Sequence, residues 1–194
     1  MINMIKIAIG VLVVGFFAVS FLTPSSPQTA DLGQVLDRTE FAIAKYSEHL
    51  ETTGVTEASD DQVEEFRGFL VDVLNSDPRF YEETQGLAIL EDAKFLGFAD
   101  TNSNGVKDTG EEDLYSVEID EENNRLIGTD MAGNSTGLRF SGTGFLAGML
   151  IGNLIGRQRG AGVSKGSFSN RTVGARSSYK APRSARSGGL RAGK

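Results

Sequence analysis

Residues 100–111 read DTNSNGVKDTGE, and residues 114–120, shortly after them, read LYSVEID. The first stretch is rich in Asp, Asn and Gly, which favour loops and tight turns. In the second stretch apolar and polar residues alternate, which is the pattern of a half-buried β-strand. Residues 121–124 supply a turn and residues 125–129 a partner strand. The sequence therefore predicts a loop followed by a β-hairpin.

Amphipathic helices are predicted before this loop. Residues 31–52 carry apolar side chains at helical spacing, and residues 59–74 do so after a capping-box pattern that begins at Ser59. Pro78 suits the first turn of a third helix, which would run to about residue 98. The predicted fold class is therefore α+β, a small helical domain closed by the loop and the hairpin.

The oxygen-bearing residues of the loop match the calcium-binding pattern D-x-[DN]-x-[DN]-G-x5-E without a gap. Calcium takes about six to eight hard oxygen ligands, and this spacing supplies them from one short segment. Gly105 permits the sharp turn in mid-loop. The predicted Ca²⁺ ligands are side-chain oxygens and one backbone carbonyl, that of Val106: Asp100, Asn102, Asn104, Val106, Asp108 and Glu111.

The loop resembles the single EF-hand-type calcium loops of bacterial secreted and envelope proteins. Lys107 stands at the eighth position, where paired EF-hands carry an apolar residue, and the loop leads into a strand instead of a helix. Its formal negative charges are those of Asp100, Asp108 and Glu111. Because fewer charged ligands bind calcium more weakly, we expect a dissociation constant on the order of 10⁻⁴ to 10⁻³ M. Such an ion would be structural, joining the predicted third helix to the hairpin, and a regulatory switch is the alternative. A metal-free acidic surface turn is the alternative interpretation.

Charge is divided along the chain, whose formal net charge is -7. All 26 Asp and Glu residues lie within residues 31–130, whereas every charged residue from Arg157 onward is Lys or Arg. Such asymmetry indicates that the two parts meet different surroundings. We therefore interpret residues 31–130 as an acidic calcium-binding domain. Residues 131–142, rich in Gly, Ser and Thr, are interpreted as a linker.

Residues 1–30 are typical of an export signal. Lys6 is their only charged residue, and it precedes the apolar run 7–22. An uncleaved membrane anchor is the first interpretation, and cleavage near the small residues 18–20 is the alternative. Either would place the acidic domain in the periplasm or outside the cell.

Glycine recurs at every fourth position of the apolar segment 143–160. The glycines are Gly144, Gly148, Gly152, Gly156 and Gly160. On a helix they share one face, where a second backbone can approach closely. The segment resembles the glycine-zipper segments of bacterial envelope proteins, which implies self-association or contact with an envelope protein. Residues 140–156 are just long enough to span a bilayer. Packing on a partner helix and a flexible Gly-rich linker are the alternatives.

Residues 161–194 form a Gly-, Ser- and Arg-rich tail that we expect to be disordered. The cations available to an anionic partner are Arg157, Arg159, Lys165, Arg171, Arg176, Lys180, Arg183, Arg186, Arg191 and Lys194. Membrane lipid is the expected partner, and nucleic acid is the alternative. If residues 140–156 span the bilayer, the positive-inside rule places this tail in the cytoplasm.

Signatures of catalysis are weak in this sequence. The chain has no Cys and a single His, His49, which excludes thiolate chemistry and Cys-based zinc sites. The carboxylates at 111–113 could support glycoside hydrolysis, but adjacent carboxylates are usually a solvated surface. We therefore expect a non-enzymatic calcium-binding scaffold, flanked by an N-terminal membrane helix and the glycine-zipper helix. A protein that binds anionic polymers through its basic tail is the alternative.

Overall fold

The computed structural model describes residues 31–140, 148–164 and 166–169, together with Arg171 and Val173. Two helices come first in this part of the chain, and five strands and a third helix follow. The helices are α1 (Leu32–Thr52), α2 (Asp60–Leu74) and α3 (Met149–Gly160). The strands are β1 (Gln85–Ile89), β2 (Phe95–Ala99), β3 (Asp113–Asp120), β4 (Arg125–Asp130) and β5 (Ser135–Arg139).

The strands form a single antiparallel meander in the order β1-β2-β3-β4-β5. The predicted hairpin of residues 114–129 is present as β3 and β4, paired so that Asp120 lies opposite Arg125. The helices pack on one face of this sheet. Gly128 of β4, for example, faces Leu32 and Leu36 of α1, whose side chains come close to where a Cβ would be.

Both long helices form where the sequence predicts them, because their ends and faces are specified locally. The Asp31 side chain accepts from the Gln34 N–H at the start of α1. The capping box of Ser59 and Gln62 opens α2. Their apolar stripes meet the inner face of the sheet in one core, whose fully buried members include Leu36, Ile43, Tyr46, Phe66, Leu70, Phe95, Tyr115 and Ile119. Burying each such side chain contributes about 1.5–3 kcal/mol.

The predicted third helix, from Pro78 to about residue 98, is wrong. Strands β1 and β2 occupy this stretch, joined by a turn in which Ala93 has a φ of 55°. Short apolar runs fit a buried strand as well as a helix, so periodicity does not separate the two. Contacts between strands favour the strand: Gly86 lies under the ring of Phe98, and Gly97 lies under the ring of Tyr115. These glycines make room for aromatic side chains across the sheet.

The predicted membrane-spanning helix at 140–156 is also wrong. In the described part of the chain no helix has both the length and the apolar character needed to cross a bilayer. Helix α3 has 12 residues, and its apolar side is buried against the rest of the domain through Leu150, Ile151, Leu154 and Ile155. These apolar side chains therefore contact the domain core and not lipid. The fold class with flanking membrane helices is corrected to a helix-and-sheet domain. The apolar run 7–22, expected to be an anchor, lies outside the described residues.

Residues 131–142 contain a strand where we predicted a linker. Strand β5 pairs with β4, so that Thr129 lies opposite Ser135 and Arg125 opposite Arg139. The intervening turn is held by Asp130, whose carboxylate accepts from the backbone N–H groups of Ala132 and Asn134. A Gly-, Ser- and Thr-rich composition fits a short edge strand and its turn as well as a linker. Pairing with β4 makes this segment a strand.

Candidate functional site

The candidate calcium loop, residues 100–111, joins β2 to β3. Its base is closed by the backbone bond from Ala99 N–H to the Glu112 carbonyl, at 2.9 Å. Asp100 N–H donates to the carbonyl of Thr84, also at 2.9 Å, just before β1. The loop is therefore entered from a strand as well as left by one, and it has no helix at its entrance. An ion held here would fasten a β-hairpin.

The carboxylate of Asp100 holds the first half of the loop together. Its Oδ1 accepts from Asn104 N–H at 3.1 Å and its Oδ2 from Gly105 N–H at 2.8 Å. Asp100 is 4% exposed. Gly105 has a φ of 74°, the left-handed region that glycine adopts at little cost. This geometry agrees with the turn predicted at Gly105, whereas the predicted role of Asp100 as a calcium ligand stays a prediction.

Two asparagines converge on one carboxylate oxygen. The Nδ2 groups of Asn102 and Asn104 donate to Oδ2 of Asp108, at 2.7 and 2.8 Å. The Oδ1 atoms of the same asparagines accept from Asn104 N–H and Val106 N–H, at 3.0 and 2.7 Å. The bonds from Asn102 and Asn104 hold the pKa of the Asp108 carboxyl below its ordinary value. Three of the predicted ligand positions therefore meet at one point in the loop.

Glu111 reaches back across the loop from its last position. Its Oε1 accepts from Thr101 N–H at 3.0 Å and from the Thr101 hydroxyl at 3.2 Å. Its Oε2 accepts from Asp108 N–H at 2.9 Å. The Glu111 residue is 8% exposed, so its carboxylate lies inside the loop and not on its surface.

Two cations also contact the loop. Nη1 of Arg67, on α2, donates to the carbonyls of Leu87 and Gly105, at 3.2 and 3.4 Å. Nζ of Lys107 lies 3.1 Å from the Asp113 carboxylate and 3.4 Å from the Glu111 carbonyl. Sequence reasoning missed Arg67, because its contact with a loop 38 positions away depends on how α2 packs beside β1. A positive charge here would oppose a bound cation and lower its affinity.

The side-chain oxygens of the loop accept hydrogen bonds from backbone N–H groups, from the amides of Asn102 and Asn104 and from the Thr101 hydroxyl. In the part of the chain that the structure describes, no group of three or more Asp, Glu or His side chains is arranged to hold a metal ion. The five side chains at the predicted ligand positions are nevertheless all in the loop, and those of Asp100 and Glu111 are buried. The donor set is a mixture of carboxylates and amides, which suits calcium better than a transition metal.

A C-terminal clasp, the described residues from Arg157 to Val173, folds back on the acidic domain. Arg157 pairs with Asp60 at 2.6 Å. Arg159 Nη2 contacts both carboxylate oxygens of Glu121 at 2.8 Å. Both arginines lie in the predicted helical segment 143–160, and carboxylates of the acidic domain bind them.

The far end of the clasp covers the outer face of the sheet. Arg171 Nη1 lies 2.9 Å from the carboxylate of Glu118, which also has Lys94 Nζ at 3.6 Å and is 8% exposed. Phe168 is buried, and its carbonyl accepts from Arg125 at 3.3 Å. Arg157, Arg159 and Arg171 are thus occupied within the chain. The other predicted cations lie outside the described residues: Lys165, Arg176, Lys180, Arg183, Arg186, Arg191 and Lys194.

The glycines of α3 face away from the core. A Cβ added at Gly152, Gly156 or Gly160 would meet open space. Gly148 is the N-cap of the helix, and Gly144 lies outside the described residues. The glycine face is open in the single chain, and nothing in the described contacts shows what would cover it.

The carboxylates considered for hydrolysis do not face each other. Glu111 points into the loop, Glu112 is exposed and Asp113 pairs with Lys107. His49 lies near the end of α1 beside Tyr46. The arrangement gives no support to a general acid and base pair on these residues.

Comparison of the chain with protein-family models, curated proteins and solved structures gives no match.

Proposed function

We propose that residues 100–111 bind one calcium ion and that the chain is a non-enzymatic, calcium-stabilised interaction module. The observation that carries this proposal is the convergence of side chains within the loop. Asp100, Asn102, Asn104, Asp108 and Glu111 stand at the ligand positions of the calcium pattern, and each is bonded within the same short loop.

Calcium would replace hydrogen bonds that now close the loop. Asp108 would exchange the amide groups of Asn102 and Asn104 for the ion, and each asparagine carbonyl oxygen has a second lone pair to offer. Glu111 would turn part of its coordination from N–H groups to the cation. Because the loop joins β2 to β3, its ordering would stabilise the centre of the sheet.

The predicted cations that the structure describes give no support to the anionic-partner hypothesis. Arg157, Arg159 and Arg171 are held by domain carboxylates. That hypothesis now depends on cations outside the described residues. Self-association through the open glycine face of α3 likewise stays a prediction.

Calorimetric titration of Ca²⁺ into the full chain tests the calcium proposal, with Glu111→Gln as the loss-of-site variant. Glu112→Gln is the matched control, because it removes a neighbouring carboxylate that is exposed and outside the ligand pattern. We expect saturable one-site binding in the native chain and in Glu112→Gln, and none in Glu111→Gln. Absence of heat and of thermal stabilisation at millimolar Ca²⁺ would contradict the proposal. Equal loss in both variants would point to non-specific charge effects.

A further inference from the structure

Asn104 is followed by Gly105, and this is the chain's only Asn–Gly sequence. In such a sequence the backbone nitrogen of the glycine can attack the asparagine Cγ, because glycine has no side chain to obstruct the approach. The attack forms an N–Cγ bond and breaks the Cγ–Nδ2 bond, releasing ammonia. Water then opens the resulting succinimide, giving aspartate or isoaspartate. The reaction needs no catalyst and no reagent besides water.

The loop brings the reacting groups together. Oδ1 of Asn104 accepts from Val106 N–H at 2.7 Å, two residues on. This bond curls the asparagine side chain over the intervening Gly105 peptide. The Asn104 residue is also exposed, so water reaches it. The carboxamide is thus placed beside the nitrogen that would attack it.

The same loop restrains that nitrogen. Gly105 N–H donates to Oδ2 of Asp100 at 2.8 Å. Attack requires the Gly105 peptide to rotate so that its nitrogen faces Cγ, and the bond to a buried carboxylate opposes that rotation. Nδ2 of Asn104, the leaving group, is in turn bonded to Asp108. Opening of the loop releases both restraints together.

We propose that Asn104 is a latent deamidation site that the hydrogen bond between Gly105 and Asp100 holds in check. Conversion to aspartate adds a negative charge at a predicted ligand position, and isoaspartate adds a methylene to the backbone of the loop.

The consequence for calcium rests on the proposed function above. In the native loop Asn104 donates to Asp108, and an aspartate at 104 would instead repel it. The converted loop would be less stable without a cation and would bind calcium more tightly, since affinity rises with the number of charged ligands. Asn104→Asp mimics the aspartate product and lets this be measured by titration.

Mass spectrometry of the full chain tests the modification itself. The chain is incubated at mildly alkaline pH with a chelator, in water enriched in heavy oxygen, so that conversion during incubation is distinguished from conversion during digestion. Trypsin cleaves after Lys94 and Lys107, which yields a peptide containing both Asn102 and Asn104. Asn102 precedes Ser103 and serves as the internal control.

We expect conversion at Asn104 and little at Asn102, with the urea-unfolded chain converting roughly tenfold faster or more. That factor corresponds to losing a hydrogen bond to a charged group. Asp100→Ala, shown to be folded by circular dichroism, should also convert faster than the native chain, and Glu112→Gln should match the native rate. Equal rates in the native and unfolded chains would overturn the proposal, as would equal conversion at Asn102. The chelator makes these outcomes independent of calcium binding.

Discussion

Nη1 of Arg38 donates to the carbonyl oxygen of Leu74 at 2.8 Å, and it does so from a fully buried position on α1. The same guanidinium donates to the carbonyls of Val73, Ser76 and Pro78. Its N–H groups therefore donate to the last carbonyls of α2, those of Val73 and Leu74, which have no partner within the helix. The positive charge also complements the negative end of the helix dipole. This arginine fastens the two helices and the segment that leads to β1.

Arg38→Ala should lower the free energy of unfolding by about 2–4 kcal/mol, because it removes a fully buried charged donor that four carbonyls share. Urea unfolding followed by circular dichroism measures the change. Arg79→Ala removes an exposed arginine nearby and should change stability by no more than about 0.5 kcal/mol. A similar small loss in Arg38→Ala would show that water replaces the guanidinium at α2.

Gly97→Ala should destabilise the chain by about 1–3 kcal/mol, because the added Cβ overlaps the ring of Tyr115 and overpacks the core. Gly68 is the matched control, since it is an exposed helical glycine with open space around it. Gly68→Ala should stabilise the chain by about 0.5–1 kcal/mol through helix propensity. Thermal unfolding of both variants separates the two effects by sign. A stable Gly97→Ala protein would mean that Tyr115 repacks freely.

Arg171→Ala should cost about 1–2 kcal/mol, because Glu118 is left buried with only the more distant Lys94 to balance it. Adding Glu118→Gln to this variant should restore part of the loss, which a double-mutant cycle measures. Arg159→Ala breaks an exposed pair and should change stability by no more than about 0.5 kcal/mol. Equal effects of the two arginine variants would contradict the role of Arg171 in balancing the buried Glu118.

The carboxyl of Asp130 should make the free energy of unfolding depend on pH. Burial raises the pKa of its carboxyl, but hydrogen bonds from Asn134, Ala132 and Gly133 outweigh this, and the pKa is lowered overall. A carboxyl with a lowered folded pKa stabilises the chain above its unfolded value, about 4, and this stabilisation is lost as pH falls through the folded pKa.

Asp130→Asn should therefore be less stable than the native chain at neutral pH, and the difference should shrink in acid below about pH 4. Urea unfolding at a series of pH values gives the two curves. Asp72→Asn removes one negative charge from the exposed side of α2 and controls for net charge. A difference that stays constant into acid would contradict the assigned role of Asp130.

The sequence predicted correctly those helices and strands that are specified by residues close together in the chain. The capping box at Ser59 and the apolar stripes of residues 31–52 and 59–74 specify α1 and α2. The alternation in residues 114–120 specifies β3. The calcium-pattern spacing likewise places its oxygen-bearing side chains in one loop. These predictions needed no knowledge of the rest of the chain.

Predictions were wrong where the apolar residues of a short segment fit two kinds of structure equally well. The runs that became β1 and β2 carry apolar residues that also fit a helix. Their pairing was decided by Phe98 over Gly86 and Tyr115 over Gly97, contacts across the sheet. The apolar side of α3 met the domain core instead of a bilayer, although its sequence suits both.

The sequence by itself determined two helices, one hairpin and a loop with the spacing of a calcium site, because each depends on neighbours a few residues away. Only the tertiary structure decided that β2 enters the loop, that Arg67 contacts it and that Arg171 closes over Glu118. Those arrangements join residues distant in the chain. Their free energy comes from charge pairing and burial that exist only once the sheet and helices have assembled.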